Sequence, residues 1–226
     1  MKRTPVDYHG FRLGRLNEPR FAHIRLLVIG WLSYFALYFL TENLIPRERC
    51  HPIHIWLDDL IPFNEYFAVF YCGWFLLVAG SLAFYLFYDV DRFTRLQKFI
   101  MITQAVAMLC YILWPSRQDL RPAVFPRDNL FSRVMGFIYT FDTSTGVCPS
   151  LHAAYSFGIL SVVSKDDHAP LWGKLALLVV VIMICLAVCF VKQHSAADVL
   201  AAIPVGLLAE AVVYGSWWKG KIKKPL

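Results

Sequence analysis

The chain has 226 residues, of which 58% are hydrophobic and only 17% charged, and its mean hydropathy is +0.51. A soluble domain of that make-up would expose more apolar surface than its polar residues can cover, so the composition excludes an ordinary water-soluble fold and points to a membrane protein. The net charge of +6 is compatible with nucleic acid, but the basic residues gather beside apolar runs, where anchoring and topology account for them, and no nucleic-acid partner is expected.

In chain order, residues 1–25 carry Lys2, Arg3, Arg12, Arg15, Arg20 and Arg25 among prolines and polar residues and read as a basic cytoplasmic tail. Residues 26–44 form the first expected span, close to the ~20 apolar residues that cross ~30 Å of hydrocarbon. That run is too long for a signal-peptide core and has no small-residue cleavage site, so it is expected to be retained. After Pro46, the mixed stretch from Ile53 to Ile61, with Asp58 and Asp59 inside it, is too short to span and is expected to lie at the interface. The second span is expected over 66–88, followed by a charged turn holding Asp89, Asp91, Arg92, Arg95 and Lys98, and a third over 99–114.

The longest polar region runs from Pro115 to Cys148 and contains Arg117, Arg121, Arg127 and Arg133. Its length exceeds that of a simple connector. Leu130, Phe131, Val134, Met135 and Ile138 recur at intervals of three and four, which predicts a surface helix there. Arg127 and Arg133 read as solvated loop charge or headgroup contacts. Three further spans are expected over 149–163, 175–191 and 194–214, so residues 26–217 form one six-helix membrane domain and 218–226 a second basic cytoplasmic tail. With six spans the termini share a side. That side holds fifteen of the 22 basic residues and the opposite side seven, so the positive-inside rule puts both tails in the cytoplasm and the plasma membrane is the expected location. Six cysteines show no metal-binding or redox spacing. Topology alone puts Cys50 and Cys148 on the oxidising side, where a disulfide between them is plausible.

Two polar islands interrupt the apolar pattern on that outer side. In Lys192-Gln193-His194-Ser195-Ala196-Ala197-Asp198, the four-residue spacing puts His194 and Asp198 on one helix face, where the carboxylate can orient the imidazole and leave its other nitrogen free to attack or to take a proton. The plainer alternative is a histidine that only caps the helix. The second island is Cys148-Pro149-Ser150-Leu151-His152, where Pro149 suits the first position of a helix and free N–H groups beside the Ser150 hydroxyl would face an anion. Ionisable groups at a membrane boundary are costly and read as functional unless a partner explains them. Two histidines, a carboxylate and nearby cations suit phosphoryl transfer, which depends chiefly on positioning and charge stabilisation. Asp142 and Glu210 also draw notice. Glu210 lies sixteen residues beyond His194, about 160° around a helix, and is expected to pair near the cytoplasmic end.

Pro149-Ser150-Leu151-His152, then Lys192-Gln193-His194 with Asp198 four residues on, resembles the second and third signatures of the type 2 phosphatidic acid phosphatase superfamily, and Arg121-Pro122 resembles the end of the first. Trp114 stands where the first signature has Lys, Ala187-Val188 where the third has Ser-Arg, and Leu151 where the second has Gly. These departures resemble the looser branch containing inositol-phosphorylceramide and sphingomyelin synthases. The resemblance implies an all-α, phosphatidic-acid-phosphatase-like bundle of six transmembrane helices with interfacial helices. It also implies a lipid phosphatase acting on a lipid phosphate or phospholipid without metal or cofactor. His194 would form a phosphohistidine, Asp198 would orient it, and His152 would protonate the leaving alcohol and then activate the acceptor. Arg121, Ser150, Arg117 and Lys192 would hold the phosphate, the last two standing in for the missing cations. A phosphotransferase that passes a phospho-headgroup to a lipid hydroxyl is the alternative enzyme. A serine protease using Ser150 lacks a nucleophile elbow, a metalloenzyme built on the two histidines and Asp198 is a lesser rival, and a transporter or scaffold is the rival outside enzymes. The oligomeric state is left open.

Overall fold

The computed structural model describes residues 3–222, with side chains described as far as Trp218. Met1, Lys2 and the expected basic tail beyond Trp218 lie outside that range in whole or in side chain. The described chain is all-helical apart from one pair of two-residue strands. Helices α1 (Ala22–Leu44), α2 (Trp56–Leu60), α3 (Ala68–Tyr88), α4 (Val90–Leu113), α5 (Leu130–Phe141), α6 (Leu151–Ser164), α7 (Leu171–Phe190) and α8 (Ala196–Ile222) follow in order. Strands β1 (His51–Pro52) and β2 (Ser116–Arg117) pair in parallel and tie the loop after α1 to the loop after α4.

Five helices, α1, α3, α4, α7 and α8, are long and apolar enough to cross a membrane. They present large apolar side chains outward, among them Leu32, Phe39, Leu76, Leu178 and Leu207, as expected where lipid rather than water is the solvent. The fourth expected span, over 149–163, corresponds to α6, which has 14 residues and extends only about 21 Å at 1.5 Å per residue. This helix is central instead. It packs against α4, α7 and α8, and Ala153, Ala154, Tyr155, Ile159 and Val162 are almost wholly buried. The main core joins α3, α4 and α6 through Trp74, Tyr85, Phe93, Ile100, Tyr111 and Tyr155, with Trp31 and Tyr34 of α1 packed against it.

The third span begins earlier than expected. The segment anticipated as a charged turn is the first two turns of α4, because Asp89 caps the helix by accepting the Arg92 N–H at 3.0 Å and Asp91 pairs with Arg95 at 2.8 Å, four residues on. At α6, Pro149 is not the first helical residue. Ser150 is the N-cap and Leu151 starts the helix, with Pro149 one place outside it after a cis Cys148–Pro149 bond. The surface helix predicted within the long loop is α5, capped by Asn129, whose side chain accepts the N–H groups of Phe131 and Ser132. The 53–61 stretch supplies only the five-residue α2. All six cysteines are free, so no bridge joins Cys50 to Cys148.

The two ends of the bundle differ. One carries the loops 45–67, 114–150 and 191–195 and both polar islands. At the other, Arg3 and Arg92 meet Asp89 and Asp166, and Glu210 pairs with Lys165 at 2.7 Å while accepting from Ser161 and Trp218. Glu210 is therefore structural, at the end away from the islands.

Candidate active site

The local fold of the Lys192–Asp198 island follows from helix capping. Ser195 is the residue before α8 and its hydroxyl accepts the Ala197 N–H at 3.1 Å, while Asp198, on the first turn, accepts the Ser195 N–H at 3.0 Å. Together these bonds satisfy donors that a helix start otherwise leaves bare. The same Asp198 oxygen lies 3.2 Å from His194 Nδ1. One carboxylate thus caps the helix and orients the imidazole, so the capping and functional readings are compatible.

The loop 191–195 turns tightly enough to bring His194 over the start of α6. Lys192 takes a positive φ of 55° at that turn, in the left-handed region that costs a non-glycine residue roughly 1 kcal/mol or more. His194 Nε2, the nitrogen opposite the Asp198 contact, stands 3.3 Å from His152 Nδ1. The result is a line Asp198–His194–His152 joining two islands 42 residues apart. The His152 ring sits among aromatics, with centroids 4.1 Å from Trp74 and 4.8 Å from Tyr71, and its Nε2 is buried with no partner. Ser150 donates its backbone N–H to the Asp198 carbonyl at 3.0 Å, and its hydroxyl is buried without a partner beside the first turn of α6.

Beside this line lies a second polar group, in which Asp142 and Arg121, both noted in the sequence, meet Gln193 and Tyr71, the last of which the sequence did not mark as a site residue. Asp142 accepts the Tyr71 hydroxyl at 2.5 Å and the Gln193 amide at 2.7 Å, and the Gln193 carbonyl accepts from Arg121 at 2.5 Å. Arg121 also donates to the Asp142 and Thr143 carbonyls and stacks over Tyr139, while its Nε is buried without a partner. Burial pulls the Arg121 pKa down, with Asp142 opposing. Arg121 therefore stands one residue behind His194, through Gln193.

The other two cations expected at the phosphate are elsewhere. Arg117 donates to the Arg47 and Cys50 carbonyls and pairs with Asp119, holding the strand pair together. Lys192 directs its ammonium to the carbonyls of Asp58, at 3.0 Å, and Ile61, at 2.5 Å. The structure does not bring either side chain to the histidines. Arg127 keeps a solvent-exposed side chain, as expected of loop charge, and also forks onto the fully buried Glu65, which accepts from Asn129 as well. Arg133 is exposed and pairs with Asp128.

A cavity of about 580 Å³ opens directly onto the two imidazoles. Its walls are apolar and aromatic, with Trp31, Tyr34 and Phe35 from α1 facing Trp74, Phe75 and Leu82 from α3, while Asp142, Thr143 and Gln193 sit at its polar end. Between Trp74 and Leu82 the wall extends about 12 Å along α3. Comparison with family models, with curated proteins and with solved structures finds no match for this chain.

Proposed function

We propose that the chain is an integral-membrane lipid phosphatase of the type 2 phosphatidic acid phosphatase kind, working through a phosphohistidine on His194. The observation that carries this reading is the Asp198–His194–His152 line at the polar end of an apolar cavity. A lipid phosphate has the matching form, an anionic head on an apolar tail. Asp198 on Nδ1 leaves His194 Nε2 as the attacking nitrogen. As its lone pair forms the N–P bond, the ester P–O bond breaks and His152 gives a proton to the departing alkoxide. His152 then takes a proton from water as the water oxygen bonds phosphorus and the N–P bond breaks, releasing inorganic phosphate and restoring both rings. The partnerless Ser150 hydroxyl and the helix start beside it suit an anion, and Arg121 reaches the same region through Gln193. Arg117 and Lys192 serve the frame in this reading.

The topology proposed with it counts α6 as a sixth, short crossing, which puts both termini on one side. The distribution of basic residues makes that side cytoplasmic and the histidines extracytoplasmic, in the plasma membrane. Transfer to a lipid hydroxyl in place of water is the second reading, favoured by the aromatic rings packed on His152, which make the acceptor side of the site apolar. The deciding assay uses purified protein with a panel of lipid phosphates, measuring inorganic phosphate with and without diacylglycerol or ceramide. Phosphate release supports the first reading and acceptor-dependent lipid product the second. Neither product from any lipid, together with no acid-labile phosphoprotein, refutes both.

A further inference from the structure

We propose that Asp58, on the short helix α2 and 140 residues from Asp198 in sequence, is a positioning residue for the His194–Asp198 pair; the proposal rests on the phosphohistidine reading above. Asp58 is 3% exposed, and each of its carboxylate oxygens is committed. Oδ2 accepts the Ser195 hydroxyl at 2.5 Å and the Ile55 N–H at 2.9 Å, while Oδ1 accepts the Ala196 N–H at 2.7 Å. It therefore caps α8 from another element, adding a negative charge at the positive end of that helix. The tie runs in both directions, because the Lys192 ammonium binds the carbonyls of Asp58 and Ile61. Two straps thus clamp α2 onto the 191–196 turn, on either side of His194. The unfavourable backbone of Lys192 is the kind of conformation that persists only where its surroundings over-determine it.

The path to the imidazole is short. Asp58 fixes the Ser195 hydroxyl, Ser195 gives its backbone N–H to Asp198 Oδ2, and that same oxygen holds His194 Nδ1. A rotation of Ser195 therefore moves the oxygen that sets the His194 tautomer. Asp58 touches no reacting atom in this scheme. Its effect should fall on the rate of the chemical step rather than on substrate affinity.

Asp58→Asn retains the shape of the side chain but keeps only one acceptor oxygen, so the contacts to Ser195, Ile55 and Ala196 cannot all be kept as they are. With a lipid phosphate as substrate, kcat should fall about 10- to 100-fold, the scale of a misplaced catalytic group, with KM within about twofold. Ser195→Ala cuts the same relay from the other side and carries less risk to folding. If the relay is right, the double variant loses no more than the worse single one. A second readout is independent of turnover. Histidine-selective 15N spectra in micelles, with His194 assigned by the His194→Asn variant, should show a single tautomer in the wild type and a mixture in Asp58→Asn and in Ser195→Ala. Unchanged His194 signals in both variants overturn the proposal, as does a double variant whose losses multiply. If the wild type turns over no phosphate ester at all, the phosphatase reading fails while the spectra still decide the role of Asp58.

Discussion

At the scale of single residues the two histidines should be separable, because in the proposed mechanism only His194 bonds to phosphorus. His194→Ala should abolish both turnover and any acid-labile phosphoenzyme, measured by trapping labelled phosphate at the protein. His152→Ala should slow lipid phosphate hydrolysis by roughly 10²–10⁴-fold, the usual worth of a general acid. It should slow nitrophenyl phosphate much less, since that leaving group needs no proton. Equal losses on both substrates would remove His152 from that role. Cys148 reports on the same carboxylate without any substrate. Burial, aided by the neighbouring Asp198, pushes its thiol up to about 12, so alkylation by a maleimide near pH 8 should lag well behind that of a free thiol. Asp198→Asn should speed that reaction by removing the negative charge.

At the scale of elements, α4 and α6 approach closely at a glycine. A Cβ built on Gly158 would stand 2.6 Å from Phe99 Cδ1, with the ring buried at 1% exposure. The ring cannot step aside, so Gly158→Ala should cost about 1–3 kcal/mol by overpacking, read as a lower thermal midpoint in detergent. Gly30→Ala meets Gln97 and the flexible end of Met101 at 2.8–3.0 Å and should cost less. The opposite end of the bundle supplies a pH dependence. Burial alone would raise the Asp166 carboxyl, but the His168 N–H and the Arg3 and Arg92 guanidiniums outweigh it and hold the group below its ordinary value. A depressed folded pKa contributes stability that is complete above the unfolded value near 4 and is lost as pH falls through the folded value. Unfolding midpoints followed downward from pH 5 should therefore drop less steeply in Asp166→Asn than in the wild type.

For the whole molecule, the cavity and the topology make separate predictions. The wall between α1 and α3 is long enough to hold part of an acyl chain, and Ala79 on α3 lines it. Ala79→Trp should raise KM for long-chain lipid phosphates several-fold and leave short-chain esters nearly untouched; a uniform change across chain lengths would separate the cavity from the tail. Membrane sidedness is best probed at exposed charges, since Ser195 itself is fully buried. Asp128→Cys, at a side chain 78% exposed in the 114–150 loop, should label from outside intact cells, and Asp167→Cys, at one 97% exposed on the opposite end, should not. The reverse pattern would invert the proposed orientation.

What the sequence by itself determined is the helical membrane class and the approximate place of each long helix, because a run of ~20 apolar residues has few alternatives in lipid. It also marked His152, His194 and Asp198, since ionisable residues interrupting apolar runs are conspicuous, and the i, i+4 spacing makes the last two neighbours. The ends of helices were less legible. Asp89 and the Asp91–Arg95 pair turned an expected loop into the start of α4, because capping and salt-bridge terms of a few tenths of a kcal/mol to about 1 kcal/mol decide such boundaries. Only the tertiary structure decided which cations stand near the histidines. Lys192 lies within an island and Arg117 in the long loop that leads to the other, yet their donors are spent on carbonyls of the loop after α1 and of the α2 region. Asp58 and Tyr71 enter the neighbourhood from elements far along the chain, bonded to Ser195 and to Gln193. A hydrogen bond between residues more than a hundred positions apart leaves no periodic trace, and where a long flexible side chain ends is set by the acceptors that packing places within its reach.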